Sequence, residues 1–310
     1  MDITKRSTSP LMVYLFGEDL KMILRAYNNC IEKLAQQHPY LEDVFSDCIN
    51  RTGFIFPYMS VEYGYYSIKK SFLPKNLKNL VMGFGLIGLA VSVDDDIVDE
   101  YSGNHLKMVS NISVSQLIQN FAYDLIFSYH EREKSEIVMS EINRALYYVA
   151  RYQYMDALNI VRFKKKGFDI MQYLQAARKT VCPVKHGLRL GMRLANGIEF
   201  IEHGEKIAEC LGIALQLIDD LLDLEDDIKN YKEAVTLPMF LLKYGRSPEM
   251  VFILIQKYLE EALRNTMFLP FGEKIERMIR GFCNIKNSTK EKIDAKLERF
   301  RRLLSIECNF

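Results

Sequence analysis

Apolar residues recur at three- and four-residue spacing along almost the whole chain, in segments such as "LKMILRAYNNCIEKLAQQ" and "KEKIDAKLERFRRLLSI". That spacing lays one apolar stripe along an α-helix, and no run alternates residue by residue as a half-buried strand would. Proline and glycine fall at joints between these segments: Pro39, Pro57, Pro74, Gly167, Gly204, Gly245 and Pro270. No Ser/Gly-rich linker, repeat or low-complexity tract divides the sequence. The pattern predicts a single all-α domain over residues 1–310, with roughly ten helices around a central bundle.

Charge sets limits on partners. Lys+Arg (41) and Asp+Glu (40) nearly cancel, so no overall field favours nucleic acid. Cys30, Cys48, Cys182, Cys210, Cys283 and Cys308 are scattered, with no CxxC and no histidine at ligand spacing, which is the usage of a reduced compartment. The start, "MDITKRSTSP", has no apolar h-region. The longest apolar stretch, residues 80–93, is too short for a bilayer and reads as a buried helix. The expectation is a soluble, cytoplasmic chain with no transmembrane segment.

Two acidic clusters interrupt this ordinary pattern. "VDDDIVDE" follows the apolar run, and on a helix Asp95, Asp96 and Asp99 share an arc of about 100°. Gly85, Gly88 and Ser92 continue that arc upward, with Phe84 and Val91 at its edge, so the small residues predict empty volume beside the acids. A frayed, solvated helix end is the alternative. In "LQLIDDLLDLEDD", Asp219, Asp220, Asp223 and Asp227 share another such arc with Gln216, Gly212 and Glu209, opposite a Leu/Ile face. Carboxylates clustered beside a core need compensation. Hard oxygen ligands suit Mg²⁺, which also binds substrate phosphate, and neither stretch has EF-hand spacing.

The pair "DDIVD" (95–99) and "DDLLD" (219–223) resembles the two DDxxD motifs of the trans-isoprenyl diphosphate synthases, within the class I terpene synthase superfamily. "RYQYMDAL" resembles the family's Gln-x-x-Asp helix at Gln153 and Asp156. "YLQAARKT" resembles its Tyr…Lys-Thr segment at Tyr173, Lys179 and Thr180, and "TLP" (236–238) the stretch after the second motif. Either DDxxD alone is weak, but the ordered set is specific. The resemblance implies a class I isoprenoid synthase helical bundle around a deep apolar pocket. It implies Mg²⁺ ions on Asp95, Asp96, Asp99, Asp219, Asp220 and Asp223, bridging the diphosphate of an allylic prenyl substrate. Lys179, Thr180 and Lys232 would contact substrate, Gln153 and Gln216 would lie near the reacting carbons, and a homodimer would follow.

The pattern also departs from the family. Elongating members bind isopentenyl diphosphate through Gly-Lys-x-x-Arg-Pro before the first motif and Arg-Arg-Gly after it. This chain reads "TGFIFP" and "EYSGNHLKMVSN" there, with no arginine in either. Apolar side chains cannot compensate a desolvated diphosphate. Lys69, Lys70, Lys75 and Lys78 are the candidates to substitute, but a solvated face is the ordinary reading of that run and of "FKKKG" (163–167). A basic lid is the other reading of "FKKKG". Pro183 suggests a kink exposing the Lys179 carbonyl to a cation.

Ala90 and Val91, small where chain-limiting members carry Tyr or Phe, suggest a pocket lined by Val91, Gly88 and Ser92 with Phe84 as floor, sized for a C15 or C20 chain. The sequence therefore points first to a terpene synthase that cyclises or quenches the allylic cation. A trans-prenyltransferase, with isopentenyl diphosphate or another acceptor, is the alternative. A non-catalytic regulatory subunit is the reading from another class. Tyr147, Tyr148, Tyr152 and Tyr154 are the candidates for a general base.

Overall fold

The periodicity is realised as helix after helix, and among the described residues there is no strand. The computed structural model describes residues 16, 18–39, 52–99, 105–230 and 234–307. Contacts divide the chain into two compact units. One comprises Met1–Arg144 with His186–Ile201, the other Ala145–Lys185 with Glu202–Phe310.

In the first unit lie α1 (Glu18–Gln37), a 3-10 turn (Thr52–Phe54), α2 (Ile55–Lys69), α3 (Lys75–Asp99) and α4 (His105–Phe127). It also takes the start of α5 (Arg132–Lys166) and most of α7 (Val181–Leu194). Leu80, Val81, Leu86, Leu89, Ala90 and Val93 of α3 are all 0% exposed, each Leu or Val burial contributing about 1.5–3 kcal/mol. Lys75–Asp94 is 20 residues long and apolar enough to cross a bilayer, longer than the run read from sequence. Because 67% of its most apolar window is buried inside protein, α3 is a core helix.

The small residues of α3 correct the sequence reading. They face no empty volume, because the 3-10 turn and the start of α2 fill it. A Cβ on Gly85 would meet the Phe54 ring at 2.6 Å, and one on Gly88 would meet Pro57 at 2.5 Å. Gly53 is held as closely against Ser92. Gly88 and Ser92 thus pack against this turn while staying half-buried. Phe54 is 0% exposed and stacks on Tyr27 at 4.3 Å and Tyr58 at 5.4 Å. Phe84 and Ala90 are core residues as well, and the Ala90 carbonyl accepts a hydrogen bond from Ser115 of α4. Of the expected pocket positions Gly88, Val91 and Ser92 stay half-open.

The second unit holds the rest of α5, then α6 (Ile170–Ala176), a 3-10 turn (Ala177–Lys179) and α8 (Ile201–Leu222, from Glu202). It continues through α9 (Leu224–Asn230), α10 (Leu237–Lys243), α11 (Glu249–Thr266) and α12 (Glu273–Glu307). Asp169 caps α6, its Oδ1 accepting from the Met171 and Gln172 amides at 2.9 and 3.2 Å. Asn159 of α5 donates to the Gln172 carbonyl at 3.0 Å, which pins α6 to α5. Pro183 is the third residue of α7, in a first turn where a missing N–H costs little. The 3-10 turn Ala177–Lys179 separates α6 from α7 just ahead of it.

Candidate active site

The second unit assembles most of the residues singled out from sequence. Lys179 ends its 3-10 turn with Nζ 2.5 Å from an Asp156 oxygen on α5, so the Tyr…Lys-Thr and Gln-x-x-Asp segments meet. The next residue, Thr180, donates Oγ1 to Gln216 Oε1 at 2.6 Å, and Gln216 Nε2 donates to Asp220 Oδ1 at 2.8 Å. Tyr173 Oη donates to the other Asp220 oxygen in a short hydrogen bond. One chain of contacts therefore links three of the motifs through side chains that are buried or half-buried.

Asp220, expected to hold metal, is bonded within the protein. It is 6% exposed with both carboxylate oxygens engaged by protein donors. Burial, with the charges of Asp227 and Asp219, raises its carboxyl to about 7, while the bonds from Tyr173 and Gln216 hold it down in part. Burial and the same carboxylate push the Tyr173 phenol well above its ordinary value. A group fixed this way organises its neighbours, and it is the buried one of the three aspartates of the second motif.

Asp219 and Asp223 behave differently. They stand one turn apart on α8 and at its end, and both side chains reach solvent. Surrounding protein still desolvates the Asp219 carboxyl, and with the Asp223 charge raises it to about 6, Lys179 compensating only partly. Asp223 is raised by burial and then by Asp226. Asp227 is raised to about 6 by burial and then by Asp223, although Thr236 Oγ1 donates to it at 3.4 Å. That bond gives the "TLP" segment its local role, since Thr236 is also the N-cap of α10.

Accessible, mutually repelling hard-oxygen donors fit a divalent cation. Among the described residues no group of three His, Cys, Asp or Glu side chains forms a cage. Mg²⁺ takes one or two carboxylates and fills its octahedron with water and phosphate, so the Asp219–Asp223 pair could supply the protein's share. In the first unit, Asp95, Asp96 and Asp99 lie on the last turns of α3, their side chains outside the described set. Lys232 also lies outside the described residues.

Gln153 sits near Asp156 on α5 with its Oε1 buried and without a hydrogen-bond partner, as a group held for a ligand would be. Of the tyrosines offered as a base, Tyr147 and Tyr154 are exposed, and Tyr148 stacks on Tyr152 at 6.1 Å. In place of the basic isopentenyl segment stands the aromatic packing around Phe54. Sequence reasoning missed a further cluster in the first unit. Glu141 of α5, 0% exposed, is bonded by His186 at 2.9 Å, Arg193 at 2.8 Å and Arg189 at 3.2 Å. Its only sequence signal was a lone acid on the apolar side of an amphipathic helix.

Residues 103–236 match the family model described as polyprenyl synthetase. No curated protein sequence matches. Among solved structures, the heptaprenyl diphosphate synthase of Staphylococcus aureus shares 16% identity over 84% of this chain and 98% of its own, with a TM-score of 0.65. The decaprenyl diphosphate synthase of Rhodobacter capsulatus shares 15% over 87% and 98%, with a TM-score of 0.68. The geranylgeranyl pyrophosphate synthase of Corynebacterium glutamicum, complexed with calcium and isoprenyl diphosphate, shares 15% over 90% and 99%, with a TM-score of 0.63. At these identities the structural likeness establishes the all-α isoprenoid synthase fold.

Proposed function

Taking the chain as a member of the polyprenyl synthetase family, by the match over residues 103–236, we propose that it is a Mg²⁺-dependent trans-prenyltransferase acting on an allylic prenyl diphosphate. The observation that carries this reading is the contact chain from Asp156 through Lys179 and Thr180 to Gln216 and Asp220, ending beside accessible Asp219 and Asp223. Family match and structural relatives favour prenyl transfer over cyclisation, which was the first reading of the sequence.

Asp219 and Asp223 would hold Mg²⁺, and the resemblance implies the same role for Asp95, Asp96 and Asp99. The ions would act as Lewis acids on the diphosphate leaving group. Lys179 would exchange its Asp156 partner for a diphosphate oxygen, adding a fixed positive charge where negative charge develops. Gln153 Oε1, unpartnered and buried, would turn a carbonyl dipole toward the allylic carbons as they become electron-poor. Asp220 and Tyr173 would hold Gln216 and Thr180 in place without touching substrate.

One observation favours a second reading for the acceptor. Residues 53–56, where isopentenyl diphosphate would need basic side chains, carry no charge, and Phe54 among them is packed core. An acceptor other than isopentenyl diphosphate, or quenching of the cation within the chain itself, answers that observation.

The test is incubation with Mg²⁺ and ten-, fifteen- or twenty-carbon allylic diphosphates, with and without isopentenyl diphosphate, read by mass spectrometry. A longer linear diphosphate formed only with isopentenyl diphosphate is the outcome for elongation. Cyclic or rearranged hydrocarbon formed without it is the outcome for the second reading. Release of no diphosphate under any condition would sink both.

A further inference from the structure

The last turns of α5 and the start of α6 form a basic, apolar tip on the second unit that no step above uses. Arg162, Lys164, Lys165 and Lys166 are all exposed, and among the described residues none of them is in an ion pair. Three large apolar side chains flank them: Val161 at 51%, Ile170 at 45% and Met171 at 72% exposure. Residues 161–172 carry these four cations against the single acid Asp169, a net +3 in a chain whose total is +1. Asp169 is itself engaged in capping α6.

The anchoring of this tip explains why these groups point outward. Phe163 is its one buried residue in the last turns, at 3% exposure, with its ring 5.0 Å from Phe168. Phe168 in turn stacks on Phe240 at 4.8 Å and lies 5.5 Å from Tyr173. With Phe163 fixed inward, its neighbours 161, 162, 164, 165 and 166 are left on the solvent side of the helix. Gly167, at φ +84, makes the turn that brings Ile170 and Met171 next in line.

We propose that this tip docks on an anionic lipid surface. Unpaired cations alone would suit any polyanion, and a small soluble anion gains nothing from three exposed aliphatic side chains. A membrane interface takes both, with lysines at the headgroups and Val161, Ile170 and Met171 at the acyl boundary. The aromatic stack connects the tip to Tyr173, and so to the contact chain of the site. A prenyl diphosphate, itself an amphiphile, could enter from the lipid surface. Only that last step rests on the function proposed above; docking does not.

The experiment is co-sedimentation of the full chain with vesicles, in the absence of Mg²⁺ and substrate. Vesicles of phosphatidylcholine alone are compared with vesicles containing about one third phosphatidylserine. Binding is expected only to the anionic vesicles, and it should weaken steeply from about 0.1 M to about 0.5 M NaCl as screening shortens. K164A/K165A/K166A should lower partitioning by about 100-fold, at roughly fivefold per lysine. I170S/M171S should lower it by roughly tenfold. Both variants change exposed residues, and circular dichroism checks that they remain helical.

No binding to anionic vesicles, or unaltered binding by the triple variant, would overturn the proposal. So would release by inorganic diphosphate at matched ionic strength, which would make the cations a site for a free anion. A change of oligomeric state in I170S/M171S would assign the surface to a second copy of the chain and likewise overturn it. Vesicle binding without turnover of prenyl diphosphates would count against the proposed function alone, and turnover without vesicle binding against the docking alone.

Discussion

Lys179 Nζ lies 2.5 Å from the Asp156 carboxylate, so the lysine proposed for the diphosphate is already paired with the aspartate of the Gln-x-x-Asp segment. Both side chains are partly exposed, which limits what the pair adds to stability. Its value is in aim, since the ammonium is held in place before substrate arrives. Lys179→Ala is therefore expected to lower kcat/KM by roughly 100-fold, within the range for loss of one charge-stabilising donor, while Tm changes little. Asp156→Asn should lower it less, by about tenfold, because the lysine keeps its charge and loses its orientation. Steady-state kinetics on both variants decide this, and equal effects would remove the orienting role.

Mutual repulsion between Asp219 and Asp223 gives a thermal signature. Mg²⁺ should raise the Tm of the wild-type chain, as any ligand of the folded state does, and a chelator should reverse the rise. Asp219→Asn should remove most of the Mg²⁺-dependent rise and lower turnover by at least about a thousandfold, a loss typical of catalytic electrostatics. Without metal it should be no less stable than wild type, since it deletes a desolvated charge. Differential scanning fluorimetry with and without Mg²⁺ reads both effects.

Tyr173→Phe removes a donor to the buried Asp220 carboxylate and leaves one oxygen unpaired, at a cost of about 1–3 kcal/mol. The expected activity change is a drop in kcat with KM nearly kept, because Tyr173 positions Gln216 and Thr180 through Asp220. A pure KM effect would assign Tyr173 to substrate contact instead.

Gly88→Ala should destabilise by about 1–3 kcal/mol through overpacking, since its new Cβ would fall 2.5 Å from Pro57. Phe54→Ala should cost about 3–5 kcal/mol, as for other fully buried phenylalanines. Urea unfolding measures both. If Gly88→Ala instead kept full stability and shortened the accepted chain, the pocket reading of that stripe would return.

Glu141 sets a pH dependence. Burial would raise its carboxyl, but the bonds from His186, Arg193 and Arg189 outweigh that and hold it at about 2. The unfolded chain then binds the proton more readily, with a carboxyl near 4.5. Its stabilisation is therefore complete above pH ~4.5 and lost as pH falls toward ~2, up to about 3 kcal/mol. Glu141→Gln should be less stable at neutral pH, and its urea midpoint should depend less on pH below ~5. Parallel pH profiles for the two chains would exclude this group as the source.

The all-α fold was legible because helical spacing persists wherever the chain is described, and the ordered motifs placed Lys179, Gln216 and Asp219 together. The small-residue stripe was not legible in the same way. A missing side chain in a sequence marks space without saying what fills it, and Phe54 and Pro57 lie some thirty residues upstream. Asp219 and Asp220 look equivalent on a helical wheel. Only the approach of Tyr173, distant in sequence, turns one of them into a buried acceptor. Glu141 stayed hidden because its partners come from another helix, α7.

The fit of Phe54 and Pro57 into the glycine notches of α3 bears on how such a chain can change over generations. A basic residue at position 54 would have to leave a ring stack that Tyr27 and Tyr58 complete, and the vacated notch over Gly85 would stand open. No single substitution restores a diphosphate cradle there, because the residue to be replaced is structural and the surface that receives it was carved to match. The interlock acts as a ratchet, because each side of the fit is held in place by the other.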